Sequence, residues 1–333
     1  YAFTKIQARQ AWDISTGSSS VSVAVIGTGV KWDHEDLSQN IWANSDEIGG
    51  NSIDDDANGY IDDIRGWDFI DDNNDPSGTD THETSVAGIV AAATNNNTGV
   101  AGTCWNCKVM PLRITYTSAD VASAVNYAVA NGAKVINMSF GSNDPGDFGP
   151  DTIVDQAVAN ALSNEIMVVA TAGNGNTNSK RYPAATEGVV GVAATDSNDN
   201  RAPFSSYGDW VDISAPGTSI HTTTIAGYGP LSGTSAAAPF VSGVAALIFS
   251  KNPSMSVSDA KLILEYTADR INPDHYIGSR LNALKSLQAN SKPTLYSLVK
   301  SPDSSITVKE GQVVDVFGTA LGDSYTLEYL TSI

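Results

Sequence analysis

Cationic side chains are scarce in this chain. Its 333 residues carry 18 Lys and Arg against 37 Asp and Glu, a formal net charge of −19. Nucleic acid and anionic membrane surfaces both need a Lys/Arg patch to neutralise their phosphates, so the balance argues against either as a partner. Long apolar runs are also missing. None approaches the ~18 to 20 residues of a bilayer crossing, and no membrane span is expected. No basic and apolar leader stands ahead of Tyr1, as expected of a chain from which any signal or pro-segment is gone. Cysteine is nearly absent. Cys104-Trp105-Asn106-Cys107 precedes a strand instead of opening a helix, against a thioredoxin-type redox pair, and two cysteines without nearby histidines make a poor zinc site. That leaves a local disulfide or two free thiols. Finally, no Gly-rich phosphate loop follows a strand in the required form, which leaves an ordinary nucleotide- or carbohydrate-binding α/β protein without support.

What is present is a globular core. A hydrophobic content of 41% over this length fits one large α/β domain with a small appendage. Apolar β-rich runs alternate with helical patterns: Val21 to Ile26, then Thr84 to Ala93; Lys108 to Ile114, then Val121 to Ala130 closed by Gly132; Lys134 to Met138, then Ile153 to Ser163; then Ile166 to Thr171. Such alternation predicts βαβ units on a mostly parallel sheet covered on both faces. Further strands are expected at Val189 to Ala193 and Trp210 to Ile213, and helices at Phe240 to Ser250 and Ser258 to Thr267, the last capped from Ser256. The main domain is placed at 1–290. From there to 333 short β runs take over (Ser305 to Val308, Val313 to Phe317, Tyr325 to Tyr329), and this β-rich extension either docks on the main domain or begins a β-sandwich.

Three side chains stand where acyl-transfer chemistry needs them. Ser235 opens an apolar helix in Gly233-Thr234-Ser235-Ala236-Ala237-Ala238-Pro239, His82 enters a small-residue helix in Asp80-Thr81-His82-Glu83-Thr84-Ser85, and Asn174 ends a strand in a Gly-flanked turn. Each alone is ordinary: a helix cap, a surface histidine, a turn asparagine. The combination is not. Taken in order with Val23 to Val30 and Val135 to Gly141, these motifs resemble the subtilisin-like serine proteases over roughly residues 6 to 287. The resemblance implies a three-layer α/β fold and a secreted endopeptidase. It implies Ser235 as nucleophile, His82 as general base and Asn174 as oxyanion donor. It further implies Ser139, Phe140 and Gly141, with Thr171, Ala172 and Gly173, as edges that pair with an extended peptide or protein substrate. Counting back from Asp196 without gaps puts Arg181 at the base of the primary specificity pocket, where a guanidinium would favour acidic residues.

Two departures from the family pattern stand out. Its strand ends Ile-Asp-(Ser/Thr)-Gly, whereas this chain reads Ile26-Gly27-Thr28-Gly29; its His-Gly-Thr-His appears here as His82-Glu83-Thr84-Ser85. Loss of the orienting carboxylate from such a triad costs on the order of 10⁴ in kcat. Glu83 is the candidate replacement, although consecutive helical residues point about 100° apart. Two readings follow: an endopeptidase with a rearranged triad, or a pseudoprotease that binds peptides or a protein partner in the cleft without cutting. The chain is expected to be a monomer in either case.

The negative charge is concentrated. Residues 46 to 80 hold twelve carboxylates against Arg65, eleven of the nineteen net negatives, and such a density calls for bound cations. Within it Asp54, Asp56 and Asn58 have the spacing of the first half of an EF-hand calcium loop, with Gly59 at the turn and the Tyr60 carbonyl as a further ligand. Arg65 stands where the closing glutamate would be, so Asp62 or Asp63 is expected to complete the shell. A second calcium site rests on the family resemblance, with the side chains of Asp36 and Asn96 and the carbonyls of Thr94, Thr98 and Val100. His34, His221 and His275 fit no ligand pattern and are read as structural or surface residues.

Overall fold

The computed structural model describes residues 1–141 and 152–291, together with the strands 296–301 and 317–321. Its centre is a sheet built from β1 (Ser22–Gly27), β2 (Trp67–Asp68), β3 (Lys108–Arg113), β4 (Val135–Met138), β5 (Met167–Thr171), β6 (Val190–Thr195), β7 (Ile213–Pro216) and, after the separate hairpin β8 (Ile220–Thr224) and β9 (Gly227–Leu231), β10 (Ser279–Arg280). The eight sheet strands lie in the order β10-β7-β6-β5-β4-β1-β3-β2, and every pairing between them is parallel. A parallel sheet needs helices on both faces, so its strands are buried on both sides and read as unbroken apolar runs. The alternation is visible residue by residue. Val23, Val25, Met167 and Val169 enter one core, while Ala24, Ile26, Val168 and Ala170 enter the other.

Eight helices complete the described chain: α1 (Ala2–Lys5), α2 (Ala8–Ala11), α3 (His82–Ala91), α4 (Ser118–Ala130), α5 (Thr152–Ser163), α6 (Thr234–Lys251), α7 (Val257–Thr267) and α8 (Ala283–Gln288). The residues of α4 and α5 line the second core, those of α3, α6, α7 and α8 the first. The architecture is therefore the expected three-layer, subtilisin-like α/β fold. Caps set several helix starts: Thr117 accepts from Asp120 N in α4, Ser256 from Asp259 N in α7, Asn282 from Lys285 N in α8. α6 is 18 residues long and apolar enough to cross a membrane, but 89% of it is buried inside the protein, as befits a core helix.

Some boundaries differ from the sequence reading. α6 starts six residues before Phe240 and carries Pro239 in its interior. Proline has no N–H for the carbonyl four residues back, which is that of Ser235. The Ser139 hydroxyl donates to that carbonyl instead, at 3.2 Å. The strand expected at Trp210 to Ile213 begins at its last residue. The β8–β9 hairpin was not expected, since the Thr-rich segment lacks an apolar run; it packs on α3, where Thr222 and Thr223 donate to the carbonyls of Ser85 and Thr84. Beyond the main domain, β11 (Tyr296–Ser301) and β12 (Phe317–Leu321) form an antiparallel pair. The runs Ser305 to Val308 and Tyr325 to Tyr329, and Val313 to Val316, lie outside the described residues.

Candidate active site

The chemistry-bearing residues gather at the carboxyl edge of the sheet, the usual place for a site in an open α/β fold. β1 ends at Gly27, β5 at Thr171, and the helices α3 and α6, which pack on each other, begin there with His82 and Thr234. At the α3 end, the Glu83 side chain is fully buried and lies over Gly27, so that a Cβ on that glycine would overlap the carboxyl group. Glu83 Oε2 accepts a bond from His82 Nδ1. Consecutive residues in mid-helix could not meet in this way; His82 is the first residue of α3, with Thr81 as its N-cap, and its half-exposed imidazole leans back onto its neighbour. A hydrogen at Nδ1 leaves Nε2 as the basic nitrogen.

Charges around the imidazole favour its protonated form. Burial alone would depress the His82 pKa, but the bond to Glu83 and the charges of Glu83 and Asp80 outweigh it and raise the value above the ordinary 6.5. Burial also pushes the Glu83 carboxyl up, against the pull of His82. The two are bonded to each other, so they titrate as a coupled pair. Around them, Asp80 Oδ1 accepts from the His82 backbone N–H and from the Thr28 hydroxyl, each at 2.8 Å, and that hydroxyl is 3.5 Å from Glu83 Oε2.

At the α6 end, Thr234 fixes the amide of Asn174. Asn174 Oδ1 accepts from both Thr234 N and Thr234 Oγ1 at 2.9 Å, which settles the amide orientation and turns Nδ2 toward the start of α6. Thr234 Oγ1 also bonds to Thr171 Oγ1 and accepts from Gly173 N at 3.1 Å. Ser235 Oγ and Asn174 Nδ2 face the same point: a Cβ on Gly233 would stand 2.8 Å from the first and 3.3 Å from the second. With φ at +146°, Gly233 also has a backbone conformation that disfavours any other residue. A hydroxyl and an amide donor on one side of a glycine form a place where an oxyanion could be held.

The expected substrate edges converge here. Ser139 is buried and bonded to the Ser235 carbonyl, Phe140 packs edge-on against Tyr116 with centroids 5.0 Å apart, and Gly141 leaves a gap that a Cβ would fill at 3.2 Å from Tyr182 O and 3.8 Å from Thr171 O. Thr171 and Ala172 are buried. The Arg181 side chain runs along the turn that holds Asn174, its Nη2 2.8 Å from where a Cβ on Gly175 would be and its Nε 3.6 Å from that of Gly173.

The acidic segment brings together a set that differs from the expected one. Carboxylate oxygens of Asp54, Asp56 and Glu47 lie within 4.8 Å of one another; Glu47 was not expected, because its separation from the loop hid it. Asn58 stands beside them, donating from its backbone to both aspartates, and Tyr60 N donates to the Asn58 side chain. Asp62 and Asp63 do not join this cluster. Asp62 accepts from the backbone N–H groups of Gly50, Asn51 and Ser52, and buried Asp63 from Asn44, Asn58 and Tyr127. Glu47, Asp54 and Asp56 are held by protein donors as well, so it is the short separation of their oxygens that sets these three apart. At the other expected site, buried Asp36 accepts from Asn96 Nδ2 at 2.7 Å and Val100 N at 2.8 Å; Thr98 N donates to Asn96, and the Thr94 hydroxyl to Ala92 O.

Of the remaining candidates, Cys104 and Cys107 form a disulfide. His34 is buried, with Nδ1 accepting from Asp36 N and Nε2 donating to Gly227 O; His275 stacks on Tyr207; His221 is exposed. Four residues that touch the site were missed in the sequence: Thr28, Asp80, Thr234 and, in the acidic segment, Glu47. Asp80 alone carried a signal, since an aspartate just before a helix start commonly accepts from its first N–H groups.

Comparison with known proteins shows the family. The subtilase family profile matches residues 18–294. Thermitase from Thermoactinomyces vulgaris is 38% identical over 296 residues, covering 86% of this chain and 95% of thermitase. Subtilisin Savinase from Lederbergia lenta is 34% identical over 287 residues, 84% of this chain and 95% of its own. Among solved structures, a protease from Pseudoalteromonas arctica superposes with a TM-score of 0.69 at 32% identity, covering 85% of this chain and 93% of that one. The chain belongs to the subtilase family of serine peptidases.

Proposed function

We propose that this chain is a secreted, calcium-stabilised serine endopeptidase, working as a monomer on extended peptide or protein substrates, in which Glu83 takes over from the carboxylate that Gly27 lacks. The observation that carries the reading is the Glu83 carboxyl lying over Gly27 and bonded to His82 Nδ1. Ser235 Oγ attacks the scissile carbonyl carbon while its proton passes to His82 Nε2; Asn174 Nδ2 donates to the oxyanion. The C–N bond then breaks as His82 returns the proton to the leaving amine. Water, deprotonated by the same imidazole, cleaves the acyl ester and frees Ser235 with a carboxylic acid product. Glu83 holds the tautomer and stabilises the imidazolium. A fluorophosphonate should label wild-type Ser235 at neutral pH and fail to label Ser235→Ala; an unlabelled wild type would favour a cleft that binds peptides without cutting them.

Substrate choice is assigned to Arg181. Its guanidinium lies beside the Asn174 turn, next to the acyl side of the bond to be cut, where it can meet a carboxylate bidentately. Peptides with Glu before the cut should have kcat/KM about tenfold or more above those with Phe. Equal rates, or a preference for Phe, would remove Arg181 from the specificity pocket.

Calcium fits the hard oxygen donors of Glu47, Asp54, Asp56 and Asn58, with Asp36 and Asn96 as the core of a second set. Its part is structural: bound cations offset carboxylate repulsion in the native state only, so chelation should lower Tm by roughly 5 °C or more. An unchanged Tm in excess chelator would dismiss both sites. We read residues 1–290 as the peptidase domain and 291–333 as an appended β unit.

A further inference from the structure

The His82–Glu83 pair leaves one oxygen unaccounted for. Among the described residues, buried Glu83 Oε1 has no hydrogen-bond partner, while Oε2 carries the bond to His82. A further donor near that carboxylate is the Thr28 hydroxyl, which also meets the Tyr116 phenol and whose single proton is contested. It is 3.5 Å from Glu83 Oε2 but only 2.8 Å from Asp80 Oδ1, so the shorter bond takes it. The same Asp80 oxygen also accepts the His82 N–H at 2.8 Å, at the entry to α3. We propose that Asp80, acting through Thr28, is a positioning residue for the His82–Glu83 pair: it withholds the Thr28 proton, so that the Glu83 carboxylate bonds to His82 alone.

The physical consequence is a stronger hold on the imidazolium. Every donor placed on a carboxylate lowers its basicity, and a donor taken away returns that basicity to the remaining bond. In a buried site this exchange matters more than it would in water. The surroundings leave Asp80 room for this part. Glu83 and Asp80 both raise the His82 pKa, against burial, and the Tyr116 phenol, in the turn after β3, faces Thr28 and both carboxylates. Arg113 at the end of β3 is committed to Asp68 and Asp71. From β8 come the Thr222 and Thr223 hydroxyls, already donating to α3 carbonyls, and the exposed His221; Lys251 sits at the far end of α6 on Leu287 O and Asn290.

The proposal rests on His82 as the base and Glu83 as its partner, and its test is chosen to stand apart from activity. The His82 ring can be titrated by NMR in the full-length Ser235→Ala protein, its signal identified by its loss in His82→Gln. Asp80→Ala should lower the midpoint by about one unit, and Asp80→Asn, which keeps an acceptor for the His82 N–H and hence Tm, should lower it as well. On a Thr28→Val background the Asp80→Ala shift should shrink by at least half. A full-sized shift on that background would overturn the linkage through Thr28, and a lowered Tm with an unmoved midpoint would reduce Asp80 to a support for the start of α3. In the active enzyme Asp80→Ala should lower kcat about tenfold with KM little changed. If Ser235 resists fluorophosphonate while the His82 midpoints still shift as stated, the hydrolytic reading fails and the part given to Asp80 survives.

Discussion

The starts of α3 and α6 solve the same problem by different means. On the proposed mechanism each must hold one side chain rigidly at the edge of the sheet, His82 in the first case and Ser235 in the second. At α6 the holders come from elsewhere in the chain: Ser139 on the carbonyl freed by Pro239, Thr171 on Thr234, and Asn174 across the turn. At α3 the holder is the very next residue, Glu83, and the strand beneath it contributes only the space that Gly27 leaves. An orienting carboxylate is defined by where its oxygens stand, so a short side chain on a strand and a longer one on a helix can serve alike. The cost of the α3 solution shows in the bonding, because the Glu83 carboxylate keeps one buried oxygen without a partner. A buried polar atom left so is destabilising by about 1–3 kcal/mol.

The largest effect should come from breaking the α3 arrangement. Glu83→Ala is expected to lower kcat by about 10⁴, with Glu83→Gln close behind because an amide can hold the wrong tautomer. Gly27→Asp alone should also be harmful, since a side chain there collides with the Glu83 carboxyl. Placed on Glu83→Ala, the same Gly27→Asp change finds open space and a backbone angle suited to any residue, and it should restore most of the lost rate. Unaltered kcat in Glu83→Ala would end the exchange of one carboxylate for the other. The pH profile sharpens the point. Catalysis needs neutral His82, whose pKa is raised, so kcat/KM should fall on the acid side with a midpoint above 6.5 and recover as pH rises through it. Glu83→Gln should bring that midpoint down.

How far the sequence revealed these two starts follows from the kind of interaction in each. The sheet and its helices were readable because two-sided burial writes itself as apolar runs, as in Val21 to Ile26 and Ile166 to Thr171. That His82 and Ser235 stand at helix starts and Asn174 just past a strand was readable because each sits in a motif. Glu83 was readable as a carboxylate next to His82, and the structure places it over Gly27. Thr28, Thr234 and Asp80 were not, because their parts depend on distances across the fold between segments 52 and 60 residues apart. The acidic segment was legible only in part for a related reason. Its spacing pointed to Asp54, Asp56 and Asn58, but the carboxylate that stands beside the first two is that of Glu47, which lies outside the loop motif.

The smallest effect should come from the α6 start, where several groups share the work. Ser139 accepts from Asn137 Nδ2 at 2.9 Å and donates to the Ser235 carbonyl. Ser139→Ala strands both of those buried groups, each at about 1–3 kcal/mol, for a combined Tm loss of roughly 4–12 °C in a domain of this size. Activity should fall less than tenfold, because Thr234 and Asn174 keep the hydroxyl and the oxyanion donor in register. The proline explains how to test the cause. Pro239→Ala would return an N–H four residues after Ser235, a second donor for the same carbonyl, so adding it to Ser139→Ala should recover about half of the lost Tm. Recovery isolates the Ser235 carbonyl as the group that Ser139 serves; no recovery would mean that the loss lies with Asn137, and that the bond to Ser235 is incidental to how α6 begins.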